Sequence, residues 1–330
     1  MDYSREALNI IQNKTTLMVS GGGALGISLI GTLERLEELG FSLKKIKKIK
    51  GSSVGSIVAT AIACGASTTY MKDLIDNMKL YRFRDNDCFL HSLYQLVAKF
   101  GLNKTNEIEV LAAKILNDLC GKAEITFSEL YHRTGVHLII TYLSMNLEET
   151  IYADHLTEPD SLVRDTIVKS SSIPLFYEGY FEGSRNNKTL AVDGGTLDNY
   201  SFEYLRDGVD PVYLLGLKMV AGVDMKDETN VGEENAAKPV DKGCPKNVID
   251  YFTRLIYLMR RQAMKIHVDK FDWMSTVKIN VGSLTATDFH ITKEQKGWLF
   301  NQGRLAAELY LVELEELLSK GKYPHILPNF

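Results

Sequence analysis

The sequence predicts an α/β fold, a three-layer α/β/α sandwich around a mostly parallel central sheet. Two strand-like segments, Thr15 to Ser20 and residues 45 to 50, each enter a glycine-containing turn and then a helix-forming stretch within the first 65 residues. Strand, turn and helix repeated twice in so short a span read as crossover units, which build parallel sheets. Strand-like runs keep alternating with helical ones downstream. The chain has 330 residues, 45% hydrophobic and 24% charged. That is enough to bury a large core without metals or disulfides, and one domain over residues 1–330 is expected.

Each element follows from local pattern. Thr15 to Ser20 is a buried strand, Gly21 to Gly26 a glycine loop, and Ile27 to Leu39 a helix closed by Gly40. Residues 45 to 50 form a short Lys/Ile strand, Gly51 to Gly55 turn sharply, and Ser56 to Cys64 is a charge-free helix. Helical patterning fills Thr68 to about Leu119, with an apolar-periodic stretch from Ile108 to Leu119. Strands return at His137 to Ser144 and Glu149 to Ala153. A helix follows over Ser161 to Lys169, and Ser170 to Pro174 should break it. Thr189 to Val192 is a strand running into Asp193, and Val212 to Met219 another. Residues 221–246 are polar and punctuated by Gly and Pro, the pattern of a mobile surface loop. Asn247 to His267 is helical, Thr276 to Val281 a strand, and Lys293 to Leu318 a long amphipathic helix.

A formal net charge of −4 lacks the basic footprint of a nucleic-acid binder. Cys64, Cys88, Cys120 and Cys244 are scattered without metal-ligand or C-x-x-C spacing, so free thiols in a reducing compartment are expected. Met1 to Asn13 carries charges and no continuous apolar run, unlike a signal peptide. Two charge-free windows, Thr15 to Leu33 and Gly51 to Met71, approach membrane-spanning length, but glycine clusters interrupt both. A cytoplasmic protein, at most peripheral at membranes, is the expectation.

Three motifs carry chemistry. Gly51-Ser52-Ser53-Val54-Gly55 is a G-x-S-x-G element between a strand and a helix. Such a turn presents the serine Oγ above the sheet and needs glycines for space, while the following helix aims its amides and positive dipole end at developing charge. Gly21-Gly22-Gly23-Ala24-Leu25-Gly26 lets successive backbone amides converge on an anion. Gly21, Gly23 and Gly26 also match the dinucleotide fingerprint, but the second strand ends in Lys50-Gly51 rather than an acidic residue. A Walker-type phosphate loop fails because no Gly-Lys-Ser/Thr follows. Asp193-Gly194-Gly195 directly follows a strand and reads either as a plain turn or as a carboxylate aimed across the sheet.

Taken together the three motifs resemble the patatin-like phospholipase family, in which a glycine-rich oxyanion loop, a G-x-S-x-G serine and a D-G-G/A aspartate follow in that order. The stretch Ser170-Ser171-Ser172-Ile173-Pro174-Leu175-Phe176 resembles that family's segment before the aspartate, and Asn199 matches an asparagine often found after it. The resemblance covers about residues 15 to 200. It implies a Ser53–Asp193 dyad without histidine and an oxyanion hole of backbone amides from Gly21, Gly22, Gly23 and Val54. Gly26, Gly51, Gly55, Gly194, Gly195 and Asn199 would support the motifs. No metal or cofactor is implied, and the substrate would be a phospholipid, lysophospholipid or neutral glyceride. Ser20 and Leu25 stand where members usually carry an Asp and a basic residue, and Tyr200-Ser201 replaces a usual proline.

Two other readings stay open. A Ser-His-Asp triad on an α/β-hydrolase fold would recruit His267 or His290, and a lipid-binding or interaction module could use the same fold without catalysis. Tyr81, Phe83, Phe89, Leu90, Leu93 and Phe100 could line an acyl channel or simply fill the core. The run Lys44 to Lys50 reads as a solvated rim or, alternatively, as a membrane-docking strip.

Overall fold

The computed structural model describes residues 3–85, 89–183, 188–206, 208–221 and 270–323, with isolated positions at 244, 251–252, 255 and 258. Nearly all of the expected polar loop at 221–246, most of the expected helix 247–267 with His267, and Cys88 lie outside the described residues.

Among the described residues ten strands form two sheets. The large one has the order β10(Thr276–Asn280)-β9(Leu214–Val220)-β1(Thr16–Val19)-β2(Lys48–Ser52)-β4(His137–Ser144)-β8(Thr189–Asp193)-β7(Tyr180–Glu182), with β5(Glu149–Ala153) also paired to β4. Pairings from β10 through β4 are parallel, and those of β4 with β5 and β8 and of β7 with β8 are antiparallel. The sheet is therefore mixed and mostly parallel along its centre. The short strands β3(Gly101–Asn103) and β6(Leu175–Tyr177) make a separate pair, so β3 interrupts the helical stretch expected from Thr68 to Leu119.

The α-helices among the described residues are α1(Arg5–Gln12), α2(Ile27–Glu38), α3(Val54–Ala63), α4(Thr68–Asn77), α5(Phe89–Lys99), α6(Asn106–Cys120), α7(Phe127–Thr134), α8(Val163–Ser171), α9(Glu203–Arg206), α10(Lys270–Met274) and α11(Lys293–Ser319). Among the described residues none is long and apolar enough to cross a membrane. Contrary to expectation α8 continues through Ser171, and the break comes at Ser172.

Strand alternation explains the layering. Leu17, Val19, Ile49, Leu138 and Ile140 join one core with residues of α2, α3, α6, α8 and α11. Met18 and Ile139 point the other way, to a smaller cluster with Tyr200, Phe202, Leu205 and Trp273. Among the described residues the outer layers are thus unequal, one built of long helices and the other of α9, α10 and the chain before them. On the thick side, α2 and α11 cross at backbone contact: a methyl group on Gly31 would lie 2.0 Å from the Phe300 carbonyl oxygen, and one on Gly303 1.9 Å from that of Ser28.

Lys44, Lys45 and Lys47 are exposed at the amino-terminal end of β2, as a solvated rim requires. Lys50 is not part of it. Its alternation turns it into the sheet's thin side, where it is fully buried and its Nζ donates to Asp198 Oδ2 at 2.6 Å and to the Ser201 carbonyl at 3.1 Å. The Lys50 ammonium also lies 4.5 Å from the centre of the Tyr152 ring, whose hydroxyl donates to the same Asp198 oxygen.

Candidate active site

Ser53 follows the last residue of β2 and precedes the first of α3, with φ 53° and ψ −130°. A non-glycine residue pays for that conformation, and such strain persists only where the surroundings over-determine it. They do so here. A methyl on Gly51 would fall 2.3 Å from the Gly55 carbonyl oxygen, and one on Gly55 would fall 2.3 Å from that of Val19, so both glycines are needed for the turn to close. The Ser53 carbonyl accepts from the Ser56 hydroxyl at 2.6 Å. The Ser53 amide donates to Ser170 Oγ at 2.9 Å, and Ser170 Oγ in turn donates to the Thr141 carbonyl at 2.6 Å.

Register brings the aspartate alongside. Ser52 pairs with Thr141 on β4, and Asp193 pairs with Tyr142 on the other edge of β4. Because β8 runs antiparallel to β4, its carboxyl end descends to the level of the serine instead of ending at the sheet top. Asp193 is buried, with 4% of its surface exposed, and its Oδ1 accepts from the Gly195 amide at 2.7 Å. Its own amide donates to the Ser172 carbonyl at 2.9 Å. Gly194 packs so tightly on β4 that a methyl there would meet the Thr141 carbonyl oxygen at 2.3 Å.

Asn199 closes the arrangement. A methyl on Gly21 would lie 2.5 Å from Asn199 Oδ1 and 2.9 Å from Ser53 Cβ. One on Gly195 would lie 2.7 Å from Asn199 Oδ1 and 2.9 Å from Asp193 Oδ1. The side chains of Ser53, Asn199 and Asp193 therefore surround the backbone of Gly21 and Gly195. The Asn199 amide also donates to the Gly21 carbonyl at 3.4 Å.

The glycine loop is a short 3-10 turn over Gly23–Gly26. Gly23 takes φ 55° against residue 286, where a side chain would strike the Ala286 carbonyl oxygen at 2.0 Å. That same oxygen accepts from the Ala24 amide at 3.0 Å. Gly26 lies against Val54, leaving no space for a methyl (2.7 Å to Val54 Cγ2). The two departures from the motif have structural roles. Leu25 is 5% exposed within the main core, and the buried Ser20 hydroxyl accepts from the Met219 amide at 3.1 Å. Tyr200, in place of a proline, is fully buried and hydrogen-bonds Thr276 at 2.5 Å; burial raises its pKa well above the usual phenol value.

Beside Ser53 opens an apolar cavity of about 840 Å³, its mouth included. Its walls come from the glycine loop (Gly23, Gly26), α3 (Val54, Ile57, Val58, Ala61), α4 (Met71, Leu74, Ile75), α6 (Ile108, Leu111, Ile115) and Ile173, Tyr177 and Phe289. Of the expected acyl-channel residues Phe83 lines it, stacked on Phe289 at 5.8 Å, whereas Tyr81 and Phe100 are exposed and outside the lining. The side chains of Phe89, Leu90 and Leu93 lie outside the described residues. The Tyr177 hydroxyl donates to the Phe83 carbonyl at 2.8 Å, and burial raises its pKa.

His290 is exposed and does not line the cavity. The sequence reading missed a histidine–carboxylate pair, His137 Nε2 with Asp154 Oδ2 at 2.8 Å, at the opposite end of β4. Among the described residues no three His, Cys, Asp or Glu side chains gather as metal ligands.

A family model described as patatin-like phospholipase matches residues 17–206, more than half of the chain. The uncharacterized protein R571 of Acanthamoeba polyphaga mimivirus is 26% identical over 90% of this chain and 94% of its own length. The uncharacterized protein YqhO of Bacillus subtilis is 28% identical over 88% and 96%. Triacylglycerol lipase ptl3 of Schizosaccharomyces pombe is 27% identical over 54% of this chain and 36% of its own. Among solved structures, VipD from Legionella pneumophila superposes with a TM-score of 0.57 at 16% identity, covering 91% of this chain and 67% of that one, a likeness of fold.

Proposed function

The chain belongs to the patatin-like phospholipase family, and on that premise we propose that it hydrolyses fatty-acyl esters with Ser53 as nucleophile and Asp193 as general base. The observation that carries this reading is a juxtaposition: a serine in left-handed backbone beside an apolar cavity, with a buried carboxylate level with it across one strand.

Ser53 Oγ attacks the ester carbonyl carbon and passes its proton to the Asp193 carboxylate. Partial desolvation makes a carboxylate a stronger base than in water, which a dyad without histidine requires. Amides of Gly21, Gly22, Gly23 and Val54 hold the tetrahedral oxyanion, and the amino-terminal end of α3 adds its dipole. Collapse expels the alcohol with the proton from Asp193 and leaves an acyl-Ser53 ester. Water, deprotonated by Asp193, then attacks that ester, and collapse releases the fatty acid as Asp193 returns the proton to Ser53 Oγ.

The cavity presents almost wholly hydrocarbon walls, which suits an acyl chain and not a polar headgroup. We therefore assign the acyl chain to the cavity and leave the alcohol portion, glyceride or phospholipid headgroup, at the mouth, where peripheral contact with a lipid surface would deliver it. The name of the fission-yeast relative supports neutral glycerides as one substrate class. The test is to incubate wild type, Ser53→Ala and Asp193→Asn with a mixed lipid extract and identify released fatty acids. Release by wild type alone is expected; equal release by all three would overturn the assignment.

A further inference from the structure

The segment Ser170-Ser171-Ser172 at the end of α8 holds both halves of the site. Ser170 Oγ accepts from the Ser53 amide, and the Ser172 carbonyl accepts from the Asp193 amide. The Ser172 hydroxyl bonds back to the Val168 carbonyl at 2.9 Å, the usual way a serine near a helix end satisfies itself. Ser171, between them, does none of this. It is 4% exposed, its Oγ is buried without a hydrogen-bond partner among the described residues, and it lines the cavity with Ser53.

Several buried hydroxyls around the site lack such a partner, but those of Ser52 and Thr141 do not belong to the cavity lining. Among the described lining residues, side-chain hydroxyls come from Ser53, Ser171 and Tyr177, and the Tyr177 hydroxyl is already donated to Phe83. An unpaired buried hydroxyl is costly, and native proteins keep few of them. A fatty-acyl ester entering this cavity loses its hydration and brings two oxygen acceptors and no donor. The orphan hydroxyl and the orphan ester oxygen match.

Resting on the proposed hydrolase reading, we propose that Ser171 is a substrate-binding residue whose hydroxyl donates a hydrogen bond to the ester group of the bound acyl lipid. The unpaired state in the free protein is then satisfied only when substrate is bound, a stability cost kept for function.

This predicts an uncommon pairing of effects. Ser171→Ala removes an unpaired hydroxyl and should leave the melting temperature unchanged or raised. Yet kcat/KM for a medium-chain p-nitrophenyl ester should fall about tenfold, the size of one lost neutral hydrogen bond in a water-poor site. Ser171→Cys, of nearly the same volume with a weaker donor, should fall between wild type and Ser171→Ala. A structural role alone would lower melting temperature and activity together, and a kcat/KM within twofold of wild type would mean that the hydroxyl does not touch substrate; either result overturns the inference. Covalent labelling of wild type by a fluorophosphonate keeps the two readings apart. An unlabelled wild type sinks the hydrolase assignment itself, whereas a labelled, active wild type with unaffected Ser171 variants sinks this inference alone.

Discussion

Both ends of β4 carry a buried carboxylate, and they are built on different terms. At the amino-terminal end Asp154 is fully buried and saturated. His137 Nε2 and the Tyr204 hydroxyl reach one oxygen, and the Leu156 and Thr157 amides and the Thr157 hydroxyl reach the other. His155 stacks on Tyr131 with ring centres 3.7 Å apart, and its buried Nδ1 has no hydrogen-bond partner among the described residues. Toward the carboxyl-terminal end Ser53 sits in strained backbone, the hydroxyls of Ser52, Thr141 and Ser171 are buried without partners among the described residues, and Ser53 and Ser171 line an apolar cavity. At the histidine end both carboxylate oxygens are tied down by hydrogen bonds. The serine end combines strained backbone, unmet hydroxyl hydrogen bonds and a cavity, the state expected where a ligand is to complete the structure.

The comparison is broken most directly by activity. Ser53→Ala should abolish fatty-acid release, and Asp193→Asn should lower it at least about a thousandfold, as loss of nucleophile or base does in serine hydrolases. Asp154→Asn should leave turnover per folded molecule within about threefold, because it touches neither serine nor cavity. A reversal, with Asp154 essential and Asp193 dispensable, would move the active centre to the histidine end.

The next largest effect concerns the strut between β2 and the loop after Asp193. Lys50 and Asp198 are both buried, so Lys50→Ala leaves a carboxylate without its cation and should cost about 3–5 kcal/mol in chemical denaturation. Pairing Lys50→Met with Asp198→Leu should recover most of that loss. A cost under about 1 kcal/mol for Lys50→Ala would show that the pair is not a structural tie.

A smaller effect should appear at the histidine end. Burial tends to raise the Asp154 pKa, but hydrogen bonds from His137 and from the Thr157 and Leu156 amides outweigh it and hold the carboxyl below the usual range. A depressed folded pKa adds stability above the unfolded carboxylate value of about 4 and loses it as pH falls toward the folded value. Asp154→Asn should therefore cost roughly 2 kcal/mol at pH 7, and the gap from wild type should narrow below about pH 4. Melting curves of both proteins across that range provide the check.

Much of the candidate site's backbone geometry was legible because backbone collisions write themselves into sequence. Gly51 and Gly55 flank Ser53 because any side chain would strike a carbonyl, and Gly194 follows Asp193 for the same reason. What remained hidden depends on residues distant in the chain. The lysine run looked uniformly solvated, yet period-two alternation turns Lys50 inward to Asp198, 148 positions away. His137 and Asp154 meet only because the β4–β5 hairpin folds one strand onto the other. The cavity draws on α3, α4 and α6 at once, so its lining could not be told from ordinary core, and exposed Tyr81 and Phe100 resembled wall residues as much as Phe83 did. The serine triplet at Ser170 was visible as a motif, but only the fold distinguishes the two that hold neighbours from Ser171.

The central claim, that Ser53 is an activated nucleophile served by Asp193, is tested most directly by locating the adduct of a fluorophosphonate carrying a long alkyl chain. Mass spectrometry of the digested protein should place the phosphonate on Ser53, with labelling abolished in Ser53→Ala and slowed at least about a hundredfold in Asp193→Asn. Folded wild type that takes up no probe, or carries it on another residue, would contradict the account.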